Sequence, residues 1–98
     1  MKLIQLDQII DNKKIVITDD MVTVYYMKFA KGEGLANHSK NGIGIIQVLD
    51  GKIHIEFDNG ESFELKRNDL LEFKASIVHS VKAMEDSKLI LFNASYSN

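Results

Sequence analysis

The stretch of sequence that decides the fold of this chain is residues 32–51, GEGLANHSKNGIGIIQVLDG. A glycine-rich turn comes first and is followed by His38, then by an apolar run that ends at Gly51. The run over residues 43–49 is short, rich in isoleucine and bounded by glycines, which is typical of a β-strand. A histidine at the entrance of such a strand indicates a candidate metal or ligand site.

Short apolar runs separated by Gly, Asn and Asp continue along the rest of the chain. They predict strands over residues 15–17, 21–29, 43–49, 52–57, 62–65, 69–73, 77–83 and 88–94. The run KIHIEF, residues 52–57, alternates between apolar and polar side chains, and Asp58, Asn59 and Gly60 after it indicate a tight hairpin turn. This spacing predicts an all-β sandwich or barrel. Residues 4–10 fit either a helical turn or an edge strand.

Length and composition limit the class of protein. With 98 residues, 45% of them hydrophobic and 27% charged, we expect a single domain over residues 1–98 with a small core. The net charge is −2, and the sequence has no cluster of basic residues of the kind that binds nucleic acid. We therefore expect no nucleic-acid partner. The lack of cysteine excludes disulfides and thiolate metal sites. Abundant isoleucine, lysine and asparagine without proline indicate an AT-rich bacterial genome.

The amino-terminal residues bear on the expected compartment. Gln5, Asp7 and Gln8 interrupt the apolar region that a signal peptide would need. No apolar run approaches the length required to cross a bilayer. We therefore expect a cytoplasmic protein without a membrane partner.

Two of the predicted strands are apolar on both faces. Residues 43–49 carry isoleucine, leucine or valine on each face, and every residue of 89–92 is apolar. Since a small sheet with one solvated face would alternate, something must cover the second face. The chain is too short to supply another layer, so we expect a homodimer. The alternative is that the terminal segments of the same chain cover that face.

The opening stretch resembles the first of the two sequence motifs of the cupin family. That motif is a glycine, five residues, His-x-His, three or four residues, a glutamate, six residues and a glycine. Gly32, His38 and Gly51 stand at matching positions. Lys40 replaces the second histidine, and Gly44 replaces the glutamate.

Residues 68–83 resemble the second cupin motif at the same level of spacing. The motif keeps its histidine as His79, while four other signature positions are replaced by Asn68, Lys74, Ser76 and Ala83. The resemblance spans about residues 22–92. It implies a cupin-like, RmlC-like double-stranded β-helix, also called a jelly-roll barrel.

The resemblance implies a metal centre whose ligands are largely missing. Cupins with a metal hold it by three histidines and the glutamate, and these positions fall here on His38, Lys40, Gly44 and His79. A protonated ammonium cannot coordinate a cation and repels it, and a catalytic metal normally has at least three protein ligands. We therefore expect no tightly bound metal and no cofactor. A weak divalent transition-metal site on the two histidines is the alternative.

Three further side chains could supply an oxygen ligand if the local geometry departs from a regular strand: Gln47, Glu33 and Glu72. Gln47 lies at odd spacing from Gly44, so in a regular strand it faces the opposite side. Glu33 lies in the segment before His38, where its orientation is not predictable.

The remaining side chains indicate a different ligand. His38, Lys40 and His79 would place one fixed and two switchable positive charges in an apolar cavity, which favours a small carboxylate or phosphate ester. One of the neighbours Tyr25 and Tyr26 should point into the same cavity. In the alternative, Lys40 extends along the barrel mouth into water, and the histidines are hydrogen-bonded remnants of the family's metal site that bind no ligand.

We thus expect a small bacterial cupin-like protein that binds a small, anionic molecule without a tightly bound metal. One alternative is a metal-dependent cupin enzyme, such as a dioxygenase, isomerase or decarboxylase, with an altered ligand set. A second alternative is a dimeric interaction module without a ligand. Whether the chain is an enzyme stays open, because one fold supports many functions.

Overall fold

A computed structural model describes residues 1–95. The strands among these residues are β1 (Lys13–Thr18), β2 (Val22–Phe29), β3 (Gly34–His38), β4 (Ile43–Asp50), β5 (Lys52–Phe57), β6 (Ser62–Lys66), β7 (Leu70–Lys74), β8 (His79–Ala83) and β9 (Ser87–Ala94). They form a five-stranded sheet in the order β1-β2-β9-β4-β7 and a four-stranded sheet in the order β3-β8-β5-β6. Every pairing is antiparallel. The predicted all-β class is confirmed.

The predicted strands are all present, with bounds that differ by at most two residues. β3 was not predicted, because the glycines at its start indicated a turn. This strand, GLANH, carries only one large apolar residue, Leu35, so it has little intrinsic β signal. It exists because its backbone pairs with β8, with an irregularity between Leu35 and His38.

Residues 4–10 contain a short 3₁₀ helix, Leu6–Gln8, which agrees with the helical alternative for this segment. Nowhere in residues 1–95 does a helix have the length and apolar character needed to cross a membrane.

The main core lies between the two sheets. The largest fully buried side chains are Met27, Ile46, Val48, Ile53, Ile55 and Leu89. Each contributes about 1.5–3 kcal/mol relative to an exposed position. On β4 the burial alternates, so that Ile46 and Val48 face this core while Ile43 and Ile45 lie half-buried on the other face. The predicted two-faced character of this strand is confirmed.

The amino-terminal segment covers part of the outer face of the five-stranded sheet. A second apolar cluster forms there from Val16, Val24 and Tyr26 with Ile4, Leu6, Ile9, Val22, Leu49, Ile90 and Phe92. The ammonium of Lys28 donates a hydrogen bond to the carbonyl oxygen of Ile9 at 2.8 Å, which holds the segment in place. The expectation that the chain cannot supply such a cover is therefore wrong for this part of the face. At the edge strand β7, Leu70 stays 64% exposed.

Candidate functional site

The pairing of β3 with β8 brings His38 and His79 together. The two residues are cross-strand partners, and their ring centroids lie 4.4 Å apart with the planes tilted by 59°. His79 is 3% exposed and faces the interior, whereas His38 is half-buried in front of it. The two histidines of the sequence motifs thus form a contacting pair.

The backbone determines the tautomer of both rings. The Nδ1 atom of His38 lies 2.8 Å from the carbonyl oxygen of Ala36, and the Nδ1 atom of His79 lies 2.7 Å from that of Ile77. Because a carbonyl can only accept, each Nδ1 carries the proton and donates it. In the neutral state the Nε2 atom of each ring is therefore free to accept a hydrogen bond.

The two histidines differ in electrostatic environment. Burial is the main cause that lowers the pKa of His79. Its hydrogen bond to Ile77 opposes this effect, and the proximity of His38 lowers the pKa further. His79 is consequently neutral at pH 7.

Lys40 lies in the loop between β3 and β4, and its side chain reaches β2. Its ammonium donates a hydrogen bond to the hydroxyl oxygen of Tyr25 on β2 and lies 4.5 Å from the centroid of that ring. Tyr25 packs against the main core, while Tyr26 belongs to the outer cluster. The prediction that one tyrosine of the pair points inward is confirmed. Because its oxygen accepts from Lys40, the hydroxyl proton of Tyr25 stays available as a donor.

These residues border a cavity of about 280 Å³. Its polar lining comes from Lys13, Lys40, Tyr25, His38 and Asn37. The apolar lining is formed by Met27, Leu35, Ala36 and Leu91. None of the lining residues is an aspartate or glutamate. We call this space the lysine cavity.

One of the three predicted site residues does not border the lysine cavity. His38 and Lys40 line the lysine cavity, but His79 is not among its lining residues and lies behind His38. Lys13, which sequence reasoning missed, does line it. Lys13 and Lys14 are adjacent lysines, so only the register of β1 against β2, where Lys13 pairs with Met27, shows which one faces the cavity.

Phe73 is a second residue that sequence reasoning missed. It lies on β7 directly opposite Gly44 on β4. A Cβ atom built on Gly44 would lie 2.3 Å from the Cζ atom of Phe73, so the ring fills the space beside this glycine. The ring also packs against His79 and Phe57, at centroid distances of 4.9 Å and 5.4 Å.

The residues present do not fit the metal centre that the resemblance implies. Only His38 and His79 offer imidazoles, the ammonium of Lys40 is bound to Tyr25, and the ring of Phe73 occupies the space beside Gly44. Within residues 1–95 no group of three or more His, Cys, Asp and Glu side chains is arranged to hold a metal ion. A metal-dependent enzyme would need ligands other than those of the family.

The oxygen ligands considered as substitutes are placed elsewhere. The carboxylate of Glu33 accepts a hydrogen bond from the backbone N–H of Ala30 at 2.7 Å. Gln47 lies on the outer face of β4, as its odd spacing from Gly44 predicts. Glu72 is exposed on β7 and pairs with Ile45 of the same outer face.

A larger cavity of about 470 Å³ has Phe73 in its lining. Its apolar lining comes from Ile43, Phe57, Phe63, Leu71, Phe73 and Ile77. We call it the phenylalanine cavity. His79 contacts Phe57, Phe73 and His38 but lines neither cavity.

Comparison with known proteins agrees with this architecture. A family model described as a cupin domain matches residues 25–94. No curated protein matches the chain. An RmlC-like cupin from Desulfovibrio desulfuricans is 24% identical, with a TM-score of 0.84 over 96% of this chain and 96% of that chain.

Two further solved structures are similar. A cupin 2 conserved barrel domain protein from Leptotrichia buccalis is 28% identical, with a TM-score of 0.79 over 85% of this chain and 40% of that chain. An RmlC-like cupin family protein with a double-stranded β-helix fold, from Methanocaldococcus jannaschii, is 10% identical, with a TM-score of 0.77 over 85% of this chain and 78% of that chain. The predicted double-stranded β-helix is confirmed.

Proposed function

Because this chain belongs to the cupin domain family, we propose that its barrel serves as a binding site, and that it binds a small organic anion without a tightly bound metal. The ligand is a carboxylate or a phosphate ester with an apolar portion. The observation that carries the proposal is the lysine cavity, which is lined by two lysines and by no aspartate or glutamate.

The charge of the lysine cavity contrasts with that of the chain. The chain has a net charge of −2, yet the cavity contains the side chains of Lys13 and Lys40. Neither lysine forms an ion pair with a carboxylate within the described part of the chain. Two ammonium groups without a local counter-charge attract an anion, and a concave, partly apolar site strengthens that attraction relative to open water.

The polar groups have distinct roles in this proposal. The ammonium groups of Lys13 and Lys40 contact the anionic head of the ligand. The hydroxyl of Tyr25 donates a hydrogen bond to the same anionic group of the ligand, since its oxygen already accepts a hydrogen bond from Lys40. The Nε2 atom of His38 accepts a hydrogen bond from a ligand hydroxyl, and His79 supports the ring of His38 from behind.

The apolar wall and the volume restrict the size of the ligand. Met27, Leu35 and Leu91 line the cavity, so part of the ligand is apolar. The volume of about 280 Å³ lies at the lower end of the range for small-molecule sites. Compounds of the size of benzoate or a short-chain carboxylate are therefore the first to test.

The experiment compares ligands that share a shape but differ in charge. Thermal shift is measured with benzoate, its neutral isostere benzamide and a phosphate ester. We expect the anions to raise the melting temperature and benzamide to have no effect. Stabilisation at a ligand concentration 100 times the dissociation constant is about 2.7 kcal/mol.

A lysine substitution locates the binding site. Lys40→Met should abolish most of the shift, whereas Lys82→Met removes an exposed lysine of β8 that does not line the lysine cavity and should leave the shift intact. An equal shift in Lys40→Met and in the unmodified chain would show that the anion binds elsewhere.

We also propose a homodimer through the uncovered edges of the five-stranded sheet. Leu70 at the β7 edge and Ile17 at the β1 edge are 64% and 40% exposed. Light scattering coupled to size exclusion measures the mass in solution, and Leu70→Glu should shift the equilibrium toward the monomer. A monomer at high concentration would contradict this proposal and leave the anion site untouched.

A further inference from the structure

The contact between Gly44 and Phe73 explains why the barrel interior differs from a metal centre. Three ring atoms of Phe73, Cζ, Cε2 and Cε1, would lie 2.3, 2.5 and 2.9 Å from a Cβ atom at position 44. Real Cβ atoms essentially never come so close to other atoms, so a side chain at this position requires the ring to move. The tip of the ring thus lies where any ligand projecting from position 44 would begin.

The ring of Phe73 cannot move without losing packing. Phe73 is 9% exposed and belongs to the main core cluster. Its ring packs against both His79 and Phe57, with centroid distances of 4.9 and 5.4 Å. Movement away from Gly44 would therefore change the contacts of the ring with both neighbours, even though the ring also borders the phenylalanine cavity.

The same ring belongs to a cluster of aromatic side chains in which Phe57, Phe73 and His79 all contact one another. His38 contacts His79, His79 contacts Phe73, and Phe73 contacts Phe57. His38 lines the lysine cavity, and Phe73 and Phe57 line the phenylalanine cavity. The cluster therefore contributes lining residues to both cavities and connects them through His79.

We propose that Phe73 is a specificity-determining residue that replaces the metal centre. Its ring takes the volume that a ligand from position 44 would occupy and packs against His79, which in turn contacts His38. Phe73 therefore leaves no room beside β4 for the side chain that would complete the family's metal centre.

The first test asks whether Gly44 and Phe73 depend on each other. Gly44→Ala should lower the urea midpoint, because the new Cβ meets the ring. Phe73→Leu should lower the midpoint of the unmodified chain but raise that of Gly44→Ala, because it frees the space. Gly34→Ala is the control: its Cβ would lie 1.8 Å from the backbone oxygen of Val81, so Phe73→Leu cannot relieve it. Additive effects of Gly44→Ala and Phe73→Leu would overturn the proposal.

The second test measures zinc per chain after equilibration with zinc chloride and dialysis. The variant Lys40→His/Gly44→Glu should take up little zinc or fail to fold, since Phe73 still fills the site. Adding Phe73→Ala should restore folding and bring uptake to about one zinc per chain. Cooperative unfolding of the triple variant verifies that it is folded.

Two outcomes of the zinc measurement would overturn the proposal. One is equal, stoichiometric zinc in the double and the triple variant, since the ring would then be no obstacle. The other is a folded triple variant that takes up no more zinc than the unmodified chain. If the triple variant does not fold, the urea measurements on Gly44→Ala and Phe73→Leu decide whether the proposal stands. Anion binding by the unmodified chain does not enter either test.

Discussion

The ammonium of Lys40 donates a hydrogen bond to the hydroxyl oxygen of Tyr25, and this contact fixes the loop between β3 and β4 to β2. Lys40 follows β3 of the four-stranded sheet, and Tyr25 lies on β2 of the five-stranded sheet. The ammonium is thus directed at the lysine cavity, although Lys40 as a whole is exposed. Both histidines are hydrogen-bonded to backbone carbonyls, so the alternative, in which Lys40 extends along the barrel mouth into water and the histidines have no ligand, stays a prediction.

Removing the hydroxyl of Tyr25 should weaken anion binding. Tyr25→Phe deletes both the acceptor that orients Lys40 and the donor available to the ligand. One hydrogen bond is worth about 1 kcal/mol, so we expect a loss of affinity of about five-fold in calorimetric titrations with benzoate. Tyr26→Phe, in the outer cluster, is the matched control and should leave the affinity unchanged. Unchanged affinity in Tyr25→Phe would count against its role in the site.

Two adjacent lysines should differ in their effect on anion binding. Lys13 lines the lysine cavity, while Lys14 lies 3.8 Å from the carboxylate of Asp11 on the surface. Lys13→Met should lower benzoate affinity and weaken its dependence on salt, because one unpaired ammonium is lost. Lys14→Met removes the same charge one residue away and should change neither quantity. If both variants behave alike, the effect comes from overall charge rather than from the cavity.

Stability should fall in mildly acidic solution because of His79. Burial lowers the pKa of this residue in the folded state, so the unfolded chain binds a proton first as the pH falls. The loss of folding free energy that His79 causes is absent above the unfolded pKa of about 6.5. Below that pH the loss grows progressively until the pH passes the folded pKa. Urea midpoints between pH 8 and pH 5 measure this slope.

A histidine substitution isolates the contribution of His79. His79→Gln should flatten the pH dependence of the urea midpoint between about pH 6.5 and the lowered folded pKa, whatever its effect on the midpoint at pH 8. His54→Gln is the control, because His54 lies on the surface beside Glu56, with 3.0 Å between Nε2 and Oε1. An unaltered slope in His79→Gln would show that other groups cause the pH dependence.

The amino-terminal segment should contribute to stability through its apolar contacts. Leu6→Ala removes a half-buried side chain from the outer cluster and should lower the free energy of unfolding by about 1–2 kcal/mol. Leu3→Ala changes a side chain that is 84% exposed and should stay within about 0.5 kcal/mol of the unmodified chain. Urea unfolding measures the stability of both variants. Equal midpoints for the two would show that the contacts of the amino-terminal segment do not stabilise the fold.

Sequence reasoning succeeded where the pattern is local. The alternation in β5 and the two-faced character of β4 predicted both strands and the faces they bury, since successive side chains of a strand point to opposite sides. It failed for β3, whose residues carry little β preference. That strand is stabilised by pairing with β8, which lies more than forty residues along the chain.

The candidate site was predicted only in part, because some of its residues are brought together by pairing between distant strands. The spacing of the two motifs indicated that His38 and His79 belong together, and the structure places them as cross-strand partners. Lys13 and Phe73 carry no sequence signal of their own. Their positions follow from the register of β1 against β2 and of β7 against β4.

The sequence by itself determined the all-β architecture, the two histidines and the loss of the family's remaining metal ligands, because these follow from residue types and their spacing. Only the tertiary structure decided what occupies the interior. The ring of Phe73 fills the space beside Gly44, and Lys40 turns toward Tyr25, because strands distant in the chain become neighbours when the sheets form. A side chain acts through its volume and its charge on groups within a few ångströms. Pairing between strands that are distant in the chain determines which groups those are.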